Sequence, residues 1–389
     1  MPEALPRKST GGADTVPNVS APAFPNRLPA LTAVRFWLAL GVVLFHYQLN
    51  MTPEGGTGFA LIERARLAVD FFFILSGFVL AHVYGRQVRE ERYDHRRFLV
   101  NRLARIYPAH VAMLVFMALV LGVATLLGQP FNGQSYTLPG FLSAAAMIHA
   151  WFPATVPNEW NGPSWSLSAE WAAYLAFPIF AWIGLRQKRS PWITLSLAVA
   201  GFVALDAFYR WRFGEILTHA ELVLGVLRIV PEFLFGISLY QLGACLTVKP
   251  PVARWSALLS AALLLTMMQT SADERLTVGA AGLLILSLAL LARSGSDRWF
   301  DHPLAQEAGE ASYALYLVHL PLLIVWKNGM AMLGDGNSGY RMTLFEGGAL
   351  LMFTLIAAWA LHVFWERPAR EWLRDRLKPA APSLPIPPK

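Results

Sequence analysis

Residues 28–50, LPALTAVRFWLALGVVLFHYQLN, form an apolar run of membrane length that nonetheless carries Arg35 and His46. In a helix these two lie eleven positions apart, about three turns, on one face and roughly 16 Å from each other along the axis. Placing an arginine in the bilayer centre costs about 2.5–3.5 kcal/mol on insertion scales, so it is retained for a partner or a function. One flank of this segment is therefore a polar track through lipid.

The remainder of the chain is equally apolar. Of 389 residues, 55% are hydrophobic and 15% charged, against roughly half and a quarter in soluble domains. We therefore expect an all-α polytopic membrane protein with about ten transmembrane helices. They are predicted at about 33–50, 67–84, 106–128, 164–185, 191–209, 222–244, 253–270, 276–293, 311–328 and 344–365, each near the length that crosses roughly 30 Å of hydrocarbon. An eleventh apolar piece, Leu138 to Phe152, is bracketed by Pro139 and Pro153. It is too short to cross, which predicts a short re-entrant or interfacial helix.

Charge sets the expected orientation. The net charge of +7 does not point to nucleic acid, because the basic residues sit in short runs between spans, as the positive-inside rule produces. With the N-terminus in the cytoplasm, 23 of the 32 Lys and Arg fall on the inner side, seven of them in residues 85–105. Seven others fall outside, and Arg35 and Arg228 lie within spans. Both termini are thus expected in the cytoplasm. Residues 1–27, rich in Pro, Ala, Asn and Thr, read as a disordered tail and not a signal peptide; residues 371–389 read as a basic, Pro-rich tail. The single cysteine, Cys245, permits no intrachain disulfide and no Cys-based structural zinc site, and no metal site is expected.

Several polar residues stand out by depth. The second span holds Asp70 and then FFFILSGF, residues 71–78, where a Ser-Gly pair permits close approach of a neighbouring helix. The following inner segment ends in RRFLVNRLARIYP, residues 96–108. Arg102 and Arg105 are three apart, on one helix face, and guanidinium forks suit phosphate oxygens, although anchoring to anionic lipid accounts for such a run equally well. The segment NGPSWSLSAEWAAYLAFP, residues 161–178, places Pro163 at a helix start, clusters the hydroxyls of Ser164, Ser166 and Ser168, and carries Glu170 about two turns into lipid. Its depth matches that of His46, so it is expected to stand beside that imidazole, the alternative being an internal hydrogen bond to a neighbouring helix. In RIVPEFLFG, residues 228–236, Arg228 and Glu232 are four apart and positioned to pair. SYALYLVHLPL, residues 312–322, puts His319 near mid-membrane, with Pro321 freeing a backbone carbonyl beside it. His110, His149, His219 and His362 read as satisfied core histidines.

Together, Arg35-x10-His46, DFFFILSGF, RRFLVNRLARIYP, PSWSLSAEW, RxxPEFLFG, SYALYLVHLPL and the closing FWERP of residues 364–368 resemble the acyltransferase-3 family of integral membrane O-acyltransferases. The resemblance covers about residues 28–370. It implies transfer of an acyl group, most often acetyl, from acyl-CoA to a hydroxyl of a carbohydrate or glycoconjugate. It also implies a bacterial plasma-membrane location and catalytic roles for Arg35, His46, Glu170 and His319. Arg102, Arg105 and Arg35 would hold the donor; Ser164, Trp165 and Ser166 are expected to bind substrate, and either a serine of 164–168 or an arginine is suited to the developing oxyanion. Neutral imidazole is suited to general-base work at ordinary pH, which makes His46 the candidate base, with Glu170 expected to orient it. Cys245 is a poor nucleophile candidate, alone and without a histidine in its motif. The hydrolase-like C-terminal extension of some members is not expected, since the sequence ends at Lys389 with a Pro-rich tail. A sugar or glycolipid transporter would also show ten spans and buried charges, but no internal repeat is visible and a passive path needs no inner RxxR pair. A structural or sensory protein has little use for Arg, His and Glu in three separate spans.

Overall fold

Within lipid a backbone has no hydrogen-bond partner but itself, and the described residues accordingly form helices without a strand. This computed structural model describes residues 24–53, 56–128, 135–153, 160–186, 190–333 and 340–377; most of both expected tails, and Lys188 and Arg189, lie outside them. In order the helices are α1 (Pro29–Met51), α2 (Ala60–Glu63), α3 (Ala68–Arg89), α4 (His95–Leu126), α5 (Leu138–Ala145), α6 (Trp165–Leu175) and α7 (Phe177–Gly184). They continue with α8 (Pro191–Phe213), α9 (Val226–Cys245), α10 (Pro250–Gln269), α11 (Glu274–Arg293), α12 (Pro303–Leu333), α13 (Leu344–Leu361) and α14 (Arg367–Arg376).

Nine helical segments among the described residues are long and apolar enough to cross a membrane, and α6 with α7, bent by 62°, makes a tenth. All ten expected spans are present, and the chain is a multi-pass membrane protein. The bend has a local cause: Pro178 has no N–H to give the Tyr174 carbonyl, so the helix ends at Ala176 and restarts in a new direction.

The tightest packing is between α3 and α9. A Cβ on Gly77 would come within 2.1 Å of the Phe233 carbonyl oxygen, and one on Gly236 within 2.0 Å of the Ile74 carbonyl oxygen. Only glycine fits at either place, so the SGF and FLFG segments bring two backbones into contact. Two turns away the same interface buries Asp70 against Arg228, with Nε–Oδ1 at 2.8 Å and Nη2–Oδ2 at 2.5 Å. The expected Arg228–Glu232 pair does not form. Glu232 is buried with no hydrogen bond or ion pair to Arg228, because a carboxylate facing the guanidinium fork accepts two bonds where an i+4 neighbour reaches it only along the surface.

The short apolar piece folds back against the helices. Only eight residues of it are helical, as α5. Beyond that helix, Ala150 N donates to Ser168 Oγ at 3.1 Å, Val226 N donates to the Ala150 carbonyl at 3.1 Å, and Trp151 Nε1 donates to the Ser168 carbonyl at 2.8 Å. Met147 and Ala150 are fully buried, so the segment turns into the bundle with these backbone groups met by protein, as irregular backbone away from water requires. His219, expected in the core, is instead exposed at the loop before α9, bonded to Glu215 and Arg66. His110, His149 and His362 do sit in protein, bonded to the Ala144 carbonyl, Ser164 and Glu366.

Candidate active site

Helices α1 and α12 start together, Gln306 Nε2 donating to the Pro29 carbonyl at 3.0 Å. They then run side by side, so positions along them measure depth. At 1.5 Å per residue, Arg35 lies roughly 9 Å above the start of α1 and His46 roughly 25 Å above it. Tyr316 and His319 lie roughly 20 and 24 Å along α12 by the same rise. The polar groups fall into two levels, a lower cavity and an upper histidine pair.

A cavity of about 170 Å³ occupies the lower level. Arg35, Arg102 and Arg105 line it together with Glu170, Tyr174 and Tyr316. Arg102 stands over the rings of Tyr84 and Tyr174, at 5.9 and 6.0 Å, and its Nε has no hydrogen-bond partner among the described residues. Arg105 is differently placed: its Nη1 donates to Glu366 Oε1 at 2.7 Å, and its guanidinium stands 5.8 Å over the Tyr313 ring. Glu366 is brought inward by a π-helical turn, His362–Glu366, between α13 and α14, and is held from its other side by His362 Nδ1 at 3.0 Å. Glu170 accepts from Ser76 Oγ at 3.0 Å and from the Tyr174 hydroxyl. Three guanidinium groups thus face two carboxylates, leaving one unit of positive charge in a site suited to an anion.

The upper level is the histidine pair. His319 Nε2 lies 3.2 Å from His46 Nδ1, although 273 residues separate the two. His319 Nδ1 is 2.7 Å from the Tyr316 carbonyl and therefore donates to it, which makes Nε2 the acceptor. His46 Nδ1 is also 3.0 Å from the Val42 carbonyl, so the proton sits on Nδ1 and is shared between that oxygen and His319. This tautomer assignment follows from the hydrogen-bond network. It leaves the Nε2 lone pair of His46 free. The carbonyl released by Pro321, that of Leu317, accepts from Asn161 Nδ2 at 3.3 Å, fixing α12 beside the pair.

The structure brings Arg35, Arg102, Arg105 and Glu170 into one cavity and His46 and His319 into one pair. It does not join the two sets: His46 is not on the cavity wall, and Glu170, expected to orient His46, bonds to Ser76 and Tyr174 while His319 takes that place. Depth alone suggested the wrong neighbour. Ser166 reaches the cavity; Ser164 and Trp165 do not, Ser164 being tied to the Asn161 carbonyl and His149, and Trp165 lying under Arg228 at 5.2 Å. Sequence reasoning passed over Tyr174, Tyr316 and Glu366. A signal existed for one of them, since Tyr313, Tyr316 and His319 recur every third residue and so share one face of α12.

An "Acyltransferase domain" family model matches residues 28–363. The chain belongs to the acyltransferase-3 family. It is 29% identical over 387 residues to the acyltransferase MdmB of Streptomyces mycarofaciens, covering 91% of this chain and 94% of that one. It is 31% identical over 190 residues to protein 2 in the picA locus of Rhizobium radiobacter, covering 47% of this chain and 95% of that protein. Similarity to the O-acetyltransferase OatA of Staphylococcus aureus is 21% over 325 residues, 77% of this chain but 51% of that longer protein. No solved structure matches. The molecule is a membrane acyltransferase, and both levels of polar residues lie inside the matched region except Glu366, three residues past its end.

Proposed function

We propose that this acyltransferase moves an acyl group, acetyl foremost, from acyl-CoA to a hydroxyl of a carbohydrate or glycoconjugate, in a bacterial plasma membrane with both termini in the cytoplasm. The observation that carries the proposal is the His46–His319 pair with its free Nε2, set one level above an arginine-lined cavity. The O-acetyltransferase name of one relative supports the class of acceptor group.

The chemistry divides among the residues as follows. Arg102 and Arg105, with Arg35 deeper in, hold the anionic donor and fix its thioester in the cavity, while Glu170 keeps Tyr174 and Ser76 in place and balances the cations. The acceptor hydroxyl gives its proton to His46 Nε2, and its oxygen attacks the thioester carbonyl carbon. Charge develops on the carbonyl oxygen, where the Arg35 guanidinium is the suitable donor. The carbon–sulfur bond then breaks and the leaving thiolate takes the proton back from His46. His319 accepts from Nδ1 throughout, holding the ring and stabilising the imidazolium, the part a third group plays in activated nucleophile systems. Residues 1–27 and 371–389 are assigned as cytoplasmic tails flanking the membrane domain of residues 28–370. Comparing glycan mass spectra of cells with and without the gene tests this reading: a mass difference equal to an acyl group is expected, and identical spectra together with no thiol release from acetyl-CoA by purified protein would refute it.

A further inference from the structure

Tyr316 belongs to both levels of the site. Its ring lines the cavity that holds Arg35 and Glu170, while its carbonyl accepts from His319 and its ring centroid stands 5.9 Å from that of His319. The ring is latched at its far end, the hydroxyl donating to the Pro163 carbonyl at 2.9 Å and lying 2.8 Å from Ser166 Oγ. Phe72 closes the same side, edge-on at 6.4 Å. Ser166 Oγ also lies 3.0 Å from the Pro163 carbonyl, so two hydroxyl protons serve three contacts and make two hydrogen bonds at a time.

We infer that Tyr316 is the partition between the donor cavity and the histidine pair, and that release of its hydroxyl from Ser166 and Pro163 joins the two compartments. The inference rests on the proposed donor and acceptor sides, and it explains why Arg35 and His46, on one face of α1, do not share a cavity. A donor thioester in the cavity is screened from the base until the ring moves. With the partition shut, water from the His46 side does not reach the thioester, and hydrolysis, in which a water oxygen displaces the thiol and leaves the free carboxylic acid, is suppressed. Tyr316 is thus a positioning residue, acting by where its ring stands and not by contact chemistry. Its latch is weak enough to open: two hydrogen bonds between neutral groups contribute about 1 kcal/mol each.

Two readouts test this. In a Cys245→Ser background with Ser312→Cys on the cavity wall, a membrane-impermeant thiosulfonate is applied from the face nearest His46. Labelling is expected to be slow with Tyr316 present and at least tenfold faster with Tyr316→Ala, with Tyr316→Phe and Ser166→Ala between them because the ring stays and only the latch goes. Equal labelling rates in all four proteins would overturn the partition, and this readout does not depend on any enzymatic activity. In the Cys245-containing protein, thiol release from acetyl-CoA without acceptor is expected to rise at least tenfold in Tyr316→Ala. Faster labelling without faster thiol release would keep the partition and overturn the acyl-CoA reading instead. Should Tyr316→Ala not fold, the Phe and Ser166 variants carry the same comparison, and rates equal to the parent in both would overturn the latch.

Discussion

Two arginines lie deep in this bundle under opposite conditions. Arg228 is fully buried and bidentate to Asp70, with Trp165 beneath it; Arg102 stands between two tyrosine rings, its Nε unpaired among the described residues and a cavity in front of it. A buried cation that has found its carboxylate fixes the fold, whereas one left facing an empty space is set for a ligand. Arg105 is intermediate, lining the cavity while paired with Glu366. The contrast separates the paired arginine of α9 from the cavity-lining ones of α4, a distinction that composition cannot draw.

The comparison breaks first at its structural end. Arg228→Ala leaves Asp70 charged and alone in the α3–α9 interface, and should destabilise the protein by about 3–5 kcal/mol, read as loss of folded protein after detergent extraction. Replacing both partners by apolar residues should recover most of that loss. A stable single variant would mean that the pair does not organise the crossing.

At the functional end, Arg102→Ala should leave the thermal midpoint near that of the parent and weaken acetyl-CoA binding ten- to a hundredfold, since a hydrogen bond to a charged group is worth about 1.5–3 kcal/mol. Unchanged affinity in a titration would place Arg102 with Arg228. Glu170→Gln keeps the shape but removes the charge opposite three guanidinium groups, and should lower the transfer rate about tenfold while donor affinity changes less. Smallest is Glu366→Gln. It frees part of the charge on Arg105, so donor binding should tighten two- to fivefold; weaker binding would show that the carboxylate supplies orientation to Arg105 and not restraint.

How much of this was legible in the sequence follows from the range of each interaction. Hydropathy is a local sum, and it located every span and the short apolar piece that does not cross. The 62° break at Ala176 is different, because Pro178 signals a weakened helix but not the direction in which it turns. Helical spacing offered Glu232 as the neighbour of Arg228, while the partner that forms is Asp70, 158 residues away in sequence. The same holds at the site: similar depth suggested Glu170 for His46, and the observed contact is His319 from α12. Depth along a span is readable from one chain, but the face a helix turns to its neighbours depends on which helices pack together.

The central claim is that His46, held by His319, removes the acceptor proton. It is tested most directly by the acyl-transfer rate of His46→Ala, measured beside acetyl-CoA affinity and thermal midpoint. General-base removal predicts a fall of at least a hundredfold with affinity and stability nearly unchanged. A variant that keeps more than a tenth of the parent's transfer rate would contradict the claim.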